Sequence, residues 1–307
     1  MKDLMKLFGI IALAAVIGLG MAGCDEGGDD EGVDGALSKF YAKANPKAGD
    51  TPVTLTGSGN IIEKAIAFID TDSGTEYTLV LGENVNNVET ITHNKDGVTL
   101  TITSDGATER KISKGSKSGA LFVVGGTSSS NTSSAKLVID GKVTLQGKAG
   151  NGAALVRVKY GGKLDLKGSA LITGNTNSSN VGGGGVYADY ATITMSGNAS
   201  IKDNTAKSGS DYALGGGVFI GSGCILNMNG GEISGNKAQS TEGGSAYGGG
   251  VYIVTSTNSK LIVASESVKA NIKDNTLDTT GSKQGAQVYK TTNGVFEVGG
   301  VAADTFN

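Results

Sequence analysis

The sequence contains no tryptophan, two prolines, two cysteines and one histidine, and aromatic residues make up only 5% of its 307 positions. The scarcity of proline and the lack of a strict Gly-x-y period exclude a collagen-like triple helix. A single histidine excludes metal sites that need two. Hydrophobic residues at 38% and a net charge of −3 are atypical of a disordered chain, and this acidity argues against nucleic acid as a partner. Glycine is the residue in excess, with 51 copies.

Residues 1–23 have the layout of a bacterial secretory signal. Lys2 and Lys6 form a positively charged region before an apolar run over residues 7–19, which is short for a membrane span. The segment leads into Met21-Ala22-Gly23-Cys24, which resembles a lipobox, the site where a lipoprotein precursor is cut and acylated. The pattern predicts cleavage between Gly23 and Cys24 and lipid attachment to Cys24, so that acyl chains on this cysteine bind the membrane. An ordinary signal peptide with an incidental cysteine is the alternative.

The next segment, residues 24–50, starts with six acidic residues interspersed with glycine, and its first basic residue is Lys39. Like charges repel and glycine adds flexibility, so we expect an extended, disordered tether. We expect the folded body to span 51–307 and to be anchored in the outer membrane of the cell envelope, on either its surface or its periplasmic face. Once Cys24 is acylated, Cys224 has no cysteine partner, so no disulfide is expected.

The rest of the chain is an internal repeat marked by glycine triplets. The sequence Gly-Gly-Gly-Val followed by Tyr or Phe occurs at 183–187, 215–219 and 248–252, with a degenerate copy at 285–289. The valines of these copies are 32, 33 and 37 residues apart. Weaker copies precede them at 119–123 and 152–158. Self-similarity with such a period is typical of solenoids built from stacked units.

Two further short motifs recur within each unit. One alternates apolar and polar residues, as in Ile193-x-Met195, and the other reads Ile-x-x-Asn, as at 201–204. Each of the three motifs fits a short strand with one buried face. No unit can bury its own apolar face, so units must stack, at about 4.8 Å per strand. The pattern predicts an all-β chain folded as a right-handed, single-stranded parallel β-helix with three strands in coils of about 32 residues.

We expect regular coils over 118–307 and irregular first coils over 77–117. Upstream, the segment Ile61–Ile69 has apolar residues at i, i+1, i+4, i+5 and i+8, which predicts a short amphipathic helix at about 60–70. This helix is expected to cap the N-terminal end of the stack, where bare strand edges invite aggregation. A leucine-rich horseshoe needs shorter units with helices, and a propeller needs four antiparallel strands per blade, so neither fits.

These repeats resemble those of right-handed parallel β-helix lipoproteins from spirochaetes of the treponeme type, which read GGGVYV…F-M-GG-I-GN, as residues 215–236 do here. The resemblance covers residues 77–307 and the leader. The glycine and asparagine motifs are also similar to those of chlamydial polymorphic outer-membrane proteins, which are adhesins, and the fold is shared with pectate lyases and phage tailspikes. The resemblance implies the fold and an envelope location, and it leaves binding, polysaccharide cleavage and scaffolding open.

In stacked coils, equivalent residues form rows. Asparagine tolerates the left-handed conformation at bends and hydrogen-bonds to stacked neighbours, so the asparagine row is predicted to be structural. Asp203 and Asp274, in the row before it, lie two coils or roughly 10 Å apart, too far to share a calcium ion. Asp165 and Asp189 lie in other rows without partners, so we expect no metal, no cofactor and no catalytic residue. The asparagine row contains Asn175, Asn204, Asn236 and Asn275.

A second row is aromatic. Each of its members follows an inward valine, so alternation places the rings outside, about 4.8 Å apart. Such a row is either a self-stacking ladder that stabilises the sheet or a platform on which sugar rings stack. The serine- and glycine-rich bends at 207–214 and 238–247 are candidate binding loops, and His93 lies in a turn without a catalytic companion. The aromatic row contains Tyr187, Phe219, Tyr252 and Tyr289.

These observations predict a monomeric, lipid-anchored envelope protein whose β-helix is a non-catalytic interaction or adhesion module. Its expected partner is a glycan or a host or envelope protein. The alternative is a polysaccharide lyase or hydrolase of the pectate-lyase type, because irregular loops can supply catalytic groups. A further alternative is a structural spacer without any ligand.

Overall fold

The computed structural model describes residues 38–106, 108–180, 182–256, 258–303 and 306, and the structural statements below refer to these residues. They form 31 strands, numbered β1 to β31 in chain order, and two helices, α1 (Ile61–Thr71) and α2 (Glu266–Lys269). The strands lie in five sheets, which we number 1 to 5.

The three large sheets run the length of the stack. In spatial order, sheet 1 contains β1 (Lys39–Tyr41), β2 (Glu76–Leu81), β5 (Thr99–Ser104), β8 (Lys136–Ile139), β11 (Lys163–Leu166), β15 (Thr192–Met195), β20 (Ile225–Met228), β25 (Lys260–Val263), β30 (Val295–Val298) and β31 (Val301–Ala302). Sheet 2 contains β4 (Ile91–His93), β7 (Phe122–Gly125), β10 (Val156–Lys159), β14 (Val186–Asp189), β19 (Val218–Ile220), β24 (Val251–Ile253) and β29 (Val288–Lys290). Sheet 3 contains β3 (Val85–Val88), β6 (Arg110–Lys114), β9 (Val143–Gln146), β12 (Leu171–Thr173), β16 (Ser200–Lys202), β21 (Glu232–Ser234) and β26 (Ile272–Lys273).

Two smaller sheets occur only in the later coils. Sheet 4 contains β13 (Thr176–Asn177), β17 (Thr205–Ser208), β22 (Lys237–Ser240) and β27 (Thr276–Asp278). Sheet 5 contains β18 (Ala213–Leu214), β23 (Ala246–Tyr247) and β28 (Lys283–Gln284). A later coil therefore passes through five sheets before it returns to sheet 2.

Successive coils pair in parallel and in register. Val186 of β14 pairs with Val218 of β19, which pairs with Val251 of β24, which pairs with Val288 of β29. The antiparallel pairs between named strands are β1 with β2 and β30 with β31. Long parallel sheets wound from one chain confirm the predicted all-β class and its parallel, β-helix-like architecture.

The structure corrects the prediction of three strands per coil. The segments 207–214 and 238–247, predicted as binding loops, contain all or part of four strands of sheets 4 and 5. These strands are only two to four residues long and lack an apolar alternation that would mark them in the sequence. Alanines with small side chains form a separate core there, namely Ala213, Ala238 and Ala246, with Leu277 packed against them.

The main core consists of rows of inward side chains. One row in sheet 1 pairs in register from coil to coil, and its members are at most 1% exposed. Burying one large apolar side chain stabilises a fold by about 1.5–3 kcal/mol, so each coil gains mainly by stacking on the next. The members of this row are Leu164, Ile193, Leu226, Leu261 and Phe296.

Helix α1 lies at the N-terminal end of the stack, within one residue of its predicted bounds. Asn60 caps it, because its side chain accepts hydrogen bonds from the main-chain N–H groups of Ile62 and Glu63 while the Glu63 carboxylate accepts one from the Asn60 N–H. Ile62, Ala65 and Ile69 are fully buried. The helix contacts β2 and β4, as expected of an N-terminal cap.

Strand β1 covers the outer edge of sheet 1 by pairing antiparallel with β2. The rings of Phe40 and Tyr77 stack 5.8 Å apart, and Phe68 of α1 packs edge-on against Phe40 at 5.5 Å. A paired edge protects a sheet from adding foreign strands. Because β1 lies within 24–50, the prediction of a disordered tether is wrong for this part of that segment.

The last coil is finished in a similar way. Strand β31 folds back antiparallel on β30, and Phe306 packs against Phe296 with ring centroids 5.3 Å apart. The sequence pattern predicts no helix here, yet Glu266–Lys269 forms α2, whose N-cap Ser265 accepts a hydrogen bond from the Val268 N–H. A single turn of helix is too short to carry the periodicity by which α1 is recognised.

Candidate functional site

The four predicted aromatic residues lie together on the outward face of sheet 2. On β14, β19, β24 and β29 the valine before each ring is buried and the ring itself is partly exposed. In-register parallel pairing places Tyr187 beside Phe219, Phe219 beside Tyr252, and Tyr252 beside Tyr289. The repeat therefore builds one continuous column of rings, as the alternation of a strand requires.

The rings of this column stack on one another. Successive ring centroids are 5.1, 5.4 and 5.6 Å apart, with interplanar angles of 4°, 10° and 23°. Burial raises the pKa of both Tyr187 and Tyr252. Because the inner rings cover each other's faces, a sugar ring cannot lie flat on them, and a ligand would meet their edges.

Two tyrosines that the sequence analysis does not single out extend the column sideways. Tyr247 of β23 stacks on Tyr289 with centroids 4.9 Å apart, and Tyr212 stacks on Tyr247 at 6.0 Å. Tyr212 is 55% exposed. The signal in the sequence is weak, since Tyr247 directly precedes a glycine triplet but its equivalents Leu214 and Gln284 are not aromatic. We call the six rings the aromatic face: Tyr187, Tyr212, Phe219, Tyr247, Tyr252 and Tyr289.

The glycine triplets form the corner that brings sheets 5 and 2 together. Gly215 and Gly248 have φ values of +63° and +62°, which only glycine adopts easily. A Cβ on Gly216 would lie 2.3 Å from the carbonyl oxygen of Gly249. None of these positions admits a side chain, so the triplets position the aromatic face. The N–H groups of Gly215, Gly216 and Gly217 donate to main-chain carbonyls of the next coil and are therefore not available to a phosphate group.

A separate aromatic pair lies at the other end of strands β10 and β14. Tyr160 and Tyr190 have φ values of +43° and +51°, a strained conformation for bulky residues, and their rings stack 6.0 Å apart. Tyr190 is 52% exposed. The Nζ of Lys159 lies 5.6 Å from the Tyr160 ring centroid.

The asparagine row is a buried chain of hydrogen bonds. The main-chain N–H of Asn175 donates to Oδ1 of Asn204 at 3.2 Å, Asn204 donates to Asn236 at 3.0 Å, and Asn236 donates to Asn275 at 3.0 Å. The four are at most 4% exposed. A ligand therefore has no access to them.

Two residues that the sequence pattern does not mark extend this row of hydrogen bonds at its two ends. Nδ2 of Asn151 donates to Oδ1 of Asn175 at 3.0 Å, and Nδ2 of Asn275 donates to Oε1 of Gln287 at 2.8 Å. Gln287 directly follows the degenerate Gly-Ala pair of the last repeat. Its side chain accepts the hydrogen bond that the asparagine of a further coil would otherwise accept. These partners satisfy groups that would otherwise be buried unpaired.

The left-handed residues are those just before the asparagines, which corrects the reason given for that row. Gly174, Asp203, Gly235 and Asp274 have φ values of +69°, +56°, +64° and +56°. Glycine and aspartate are among the residues that tolerate this conformation. Asp203 and Asp274 are therefore turn residues, and the asparagines are needed for their hydrogen bonds.

Asp165 and Asp189, predicted to lack partners, both have charged neighbours. The Asp165 carboxylate lies 2.6 Å from Nζ of Lys136. Burial raises the pKa of Asp189, and the nearby charges of Lys159 and Arg157 oppose that rise. Across the described ranges, no group of three or more His, Cys, Asp or Glu side chains is placed to hold a metal ion.

The two other reactive side chains are buried. His93 lies in strand β4 and not in a turn, its Nε2 is 3.1 Å from the Val98 carbonyl oxygen, and burial lowers its pKa. Burial raises the pKa of the Cys224 thiol to about 12, which keeps it protonated and unreactive. Both are residues of the core.

No protein-family model, curated protein or solved structure matches the chain. The predicted leader, Gly23 and Cys24 lie outside the described residues. Within the described part of the chain, no helix combines the length and the apolar character that crossing a membrane requires. Any function must therefore be argued from the sequence and from the geometry of the aromatic face.

Proposed function

We propose that this chain is a lipid-anchored protein of the bacterial cell envelope whose right-handed β-helix binds a glycan along the aromatic face without catalysing a reaction. The observation that carries the proposal is the continuous stack of six rings on one side of the solenoid, which ends in the exposed Tyr212. Tyrosine joins a rigid apolar ring to a hydroxyl group at low entropic cost, which suits a partner that is partly apolar and partly polar. Right-handed winding is the usual hand of parallel crossovers.

The inner rings of the aromatic face and the exposed Tyr212 have different expected roles in binding. The inner rings hold one another in place, so they form a preorganised floor that loses little freedom when a ligand binds. The Tyr212 ring is the most exposed of the six and has a single ring neighbour, Tyr247. We expect it to make the largest new contact with a bound glycan.

The binding test compares two tyrosines of similar exposure. Tyr212→Ala removes a ring of the aromatic face, and Tyr190→Ala removes one of comparable exposure, 52% against 55%, outside it. For a glycan that binds the full-length protein in detergent, Tyr212→Ala should weaken binding about three- to tenfold, the loss of one aromatic contact. Equal effects of the two substitutions, measured by calorimetry, would place the ligand elsewhere. Binding of a protein in place of a glycan would favour the protein-partner prediction, and the absence of any ligand would favour the spacer.

The lipid anchor has its own test in cells. Cys24→Ser should abolish incorporation of labelled palmitate and leave an uncleaved precursor, whereas Cys224→Ser should retain the label because that thiol is buried. Palmitate on the Cys24→Ser protein would refute the anchor. Protease treatment of intact cells, with a periplasmic control, then decides between the cell surface and the periplasm.

Asp189 keeps the enzymatic alternative open. A carboxyl group whose pKa is raised by burial, beside Arg157 and Lys159, has the character of a general acid or base. If the protein cleaves a polysaccharide, the purified chain will release reducing or unsaturated sugars and Asp189→Asn will abolish that release. Absence of product across a broad panel of polysaccharides favours the binding function.

A further inference from the structure

The aromatic face has a cation at one end. Arg157 on β10 pairs in register with Tyr187 on β14, so it occupies the position that an aromatic ring holds in the later coils. Its guanidinium carbon lies 5.2 Å from the centroid of the Tyr187 ring. A cation–π contact of this kind does not use the N–H groups of the guanidinium, which stay available for hydrogen bonds.

This arginine forms no salt bridge in the part of the chain that the structure describes, and Asp189 is the nearby carboxylate whose charge it feels. The ion pairs of the described residues have N–O distances of 3.9 Å or less, and none of them involves Arg157. Most of these ion pairs join residues of neighbouring strands or turns. Its side chain is partly exposed. A guanidinium at a surface that forms no salt bridge is open to an anion from solution.

The local charge is positive. Lys159 lies two residues along β10 and so on the same outward face, and its pKa is lowered by burial and by the charge of Arg157. Asp189 is the residue paired with Lys159, and burial raises the pKa of its carboxyl group. Two cations therefore face one carboxylate in a chain whose net charge is −3.

A small cavity lies beside this arginine. Its volume is about 100 Å³, roughly three times the share of one water molecule in the liquid. Alanine, serine and glycine leave the space open, and the guanidinium and an aromatic ring border it. The residues that matter for the argument are Ala153, Ala154, Ser179 and Gly182, with Arg157 and Tyr187.

We propose that Arg157 and this cavity form an anion-binding subsite at the end of the aromatic face, which holds a carboxylate or sulfate substituent of the bound saccharide. The planar fork of arginine matches either group with two parallel hydrogen bonds. A saccharide chain along the aromatic face would bring such a substituent to Arg157 directly. This inference rests on the proposed glycan binding and specifies its ligand as acidic.

The test uses one saccharide backbone in three charge states: neutral dextran, carboxymethyl dextran and dextran sulfate. The full-length protein in detergent should bind at least one of the anionic polymers more tightly than the neutral one. Arg157→Gln should weaken that binding at least about tenfold, the value of a charge-assisted hydrogen bond, and should leave neutral dextran unaffected. The polymer with the larger loss identifies the substituent as carboxylate or sulfate.

Two variants control for charge alone. Lys202→Gln removes an exposed positive charge on sheet 3 and should leave binding unchanged, whereas Arg157→Lys keeps the charge without the fork and should bind with intermediate affinity. Equal weakening by Arg157→Gln and Lys202→Gln would overturn the subsite. Unchanged binding in Arg157→Gln, with a loss in Tyr212→Ala, would overturn the subsite alone. Failure of the wild-type protein to bind any saccharide would overturn both proposals.

Discussion

Removal of one asparagine from the middle of the buried row should destabilise the solenoid strongly. Asn236 is fully buried, and its side chain makes four hydrogen bonds. Its Oδ1 accepts from the main-chain N–H and from Nδ2 of Asn204, at 3.0 and 3.2 Å. Its Nδ2 donates to the carbonyl oxygen of Ile201 at 2.9 Å and to Oδ1 of Asn275 at 3.0 Å. Asn236→Ala removes all four.

The cost follows from which groups lose a partner. Nδ2 of Asn204 keeps its hydrogen bonds to two main-chain carbonyls, and Oδ1 of Asn275 keeps the N–H of residue 236. The N–H of Asn204 loses its partner altogether, whereas the carbonyl of Ile201 keeps its place in the parallel ladder between β16 and β21. A buried group left unpaired costs about 1–3 kcal/mol, so we expect the free energy of unfolding to fall by about 1–3 kcal/mol.

Stacked coils interact mainly with their neighbours, so unfolding need not be a single transition. Hydrogen exchange followed by mass spectrometry, together with urea titration, resolves this. Peptides spanning 200–240 should lose protection in Asn236→Ala, while those spanning 77–139 should keep theirs. The control is Asn198→Ala, an exposed position, which should change stability by no more than about 0.5 kcal/mol. An equally small effect of Asn236→Ala would refute the structural role of the row.

Three further predictions concern backbone conformation, thiol reactivity and acid stability. Gly235→Val should cost about 1–3 kcal/mol in urea titrations, because φ is +64° there and a Cβ would lie 2.4 Å from Oδ1 of Asp203; Asp203→Gly should be tolerated. With its pKa near 12, Cys224 should resist thiol reagents at pH 8 until urea unfolds the chain, and labelling of the folded protein would contradict its burial. The hydrogen bond from Tyr77 lowers the pKa of Asp72 below its ordinary value of 3.8. The ionised Asp72 therefore stabilises the fold above pH 3.8, and this stabilisation is lost as the pH falls through the lower pKa of the folded state. Tyr77→Phe should flatten this part of the acid unfolding curve.

The solenoid is predictable from sequence because its signals are local and repeated. The valines of the glycine repeats lie in the pairing register that their spacing predicts, and α1 is marked by its own periodicity. Strand β1 carries no such mark. Lys39 pairs with Val80, a contact between distant segments that neither local pattern contains. Sheets 4 and 5 are missed because strands of two to four residues are too short to show an apolar alternation.

The candidate site is predictable to the same limited extent. The column from Tyr187 to Tyr289 follows from strand alternation, but the stacking that covers the inner ring faces appears only in three dimensions. Arg157 belongs to a weak copy of the repeat, where alignment of Leu155-Val156-Arg157 with Gly-Val-Tyr places it in the aromatic row. That Arg157 forms no salt bridge is a property of the whole neighbourhood, which no motif records.

The outward rows of the three large sheets differ in a way that bears on function. Equivalent outward positions of sheet 1 are occupied by Asp165, Thr194, Asn227, Ile262 and Glu297, and those of sheet 3 by Thr173, Lys202, Ser234 and Lys273. These rows change character from coil to coil, yet their coils stack in register, so stacking does not require aromatic residues on the outside. Each stacked pair in sheet 2 adds about 0.5–1.5 kcal/mol, a gain that the other two sheets do without. Four successive rings with Arg157 at one end therefore distinguish sheet 2 from the other two large sheets, and the proposed saccharide partner would account for that difference.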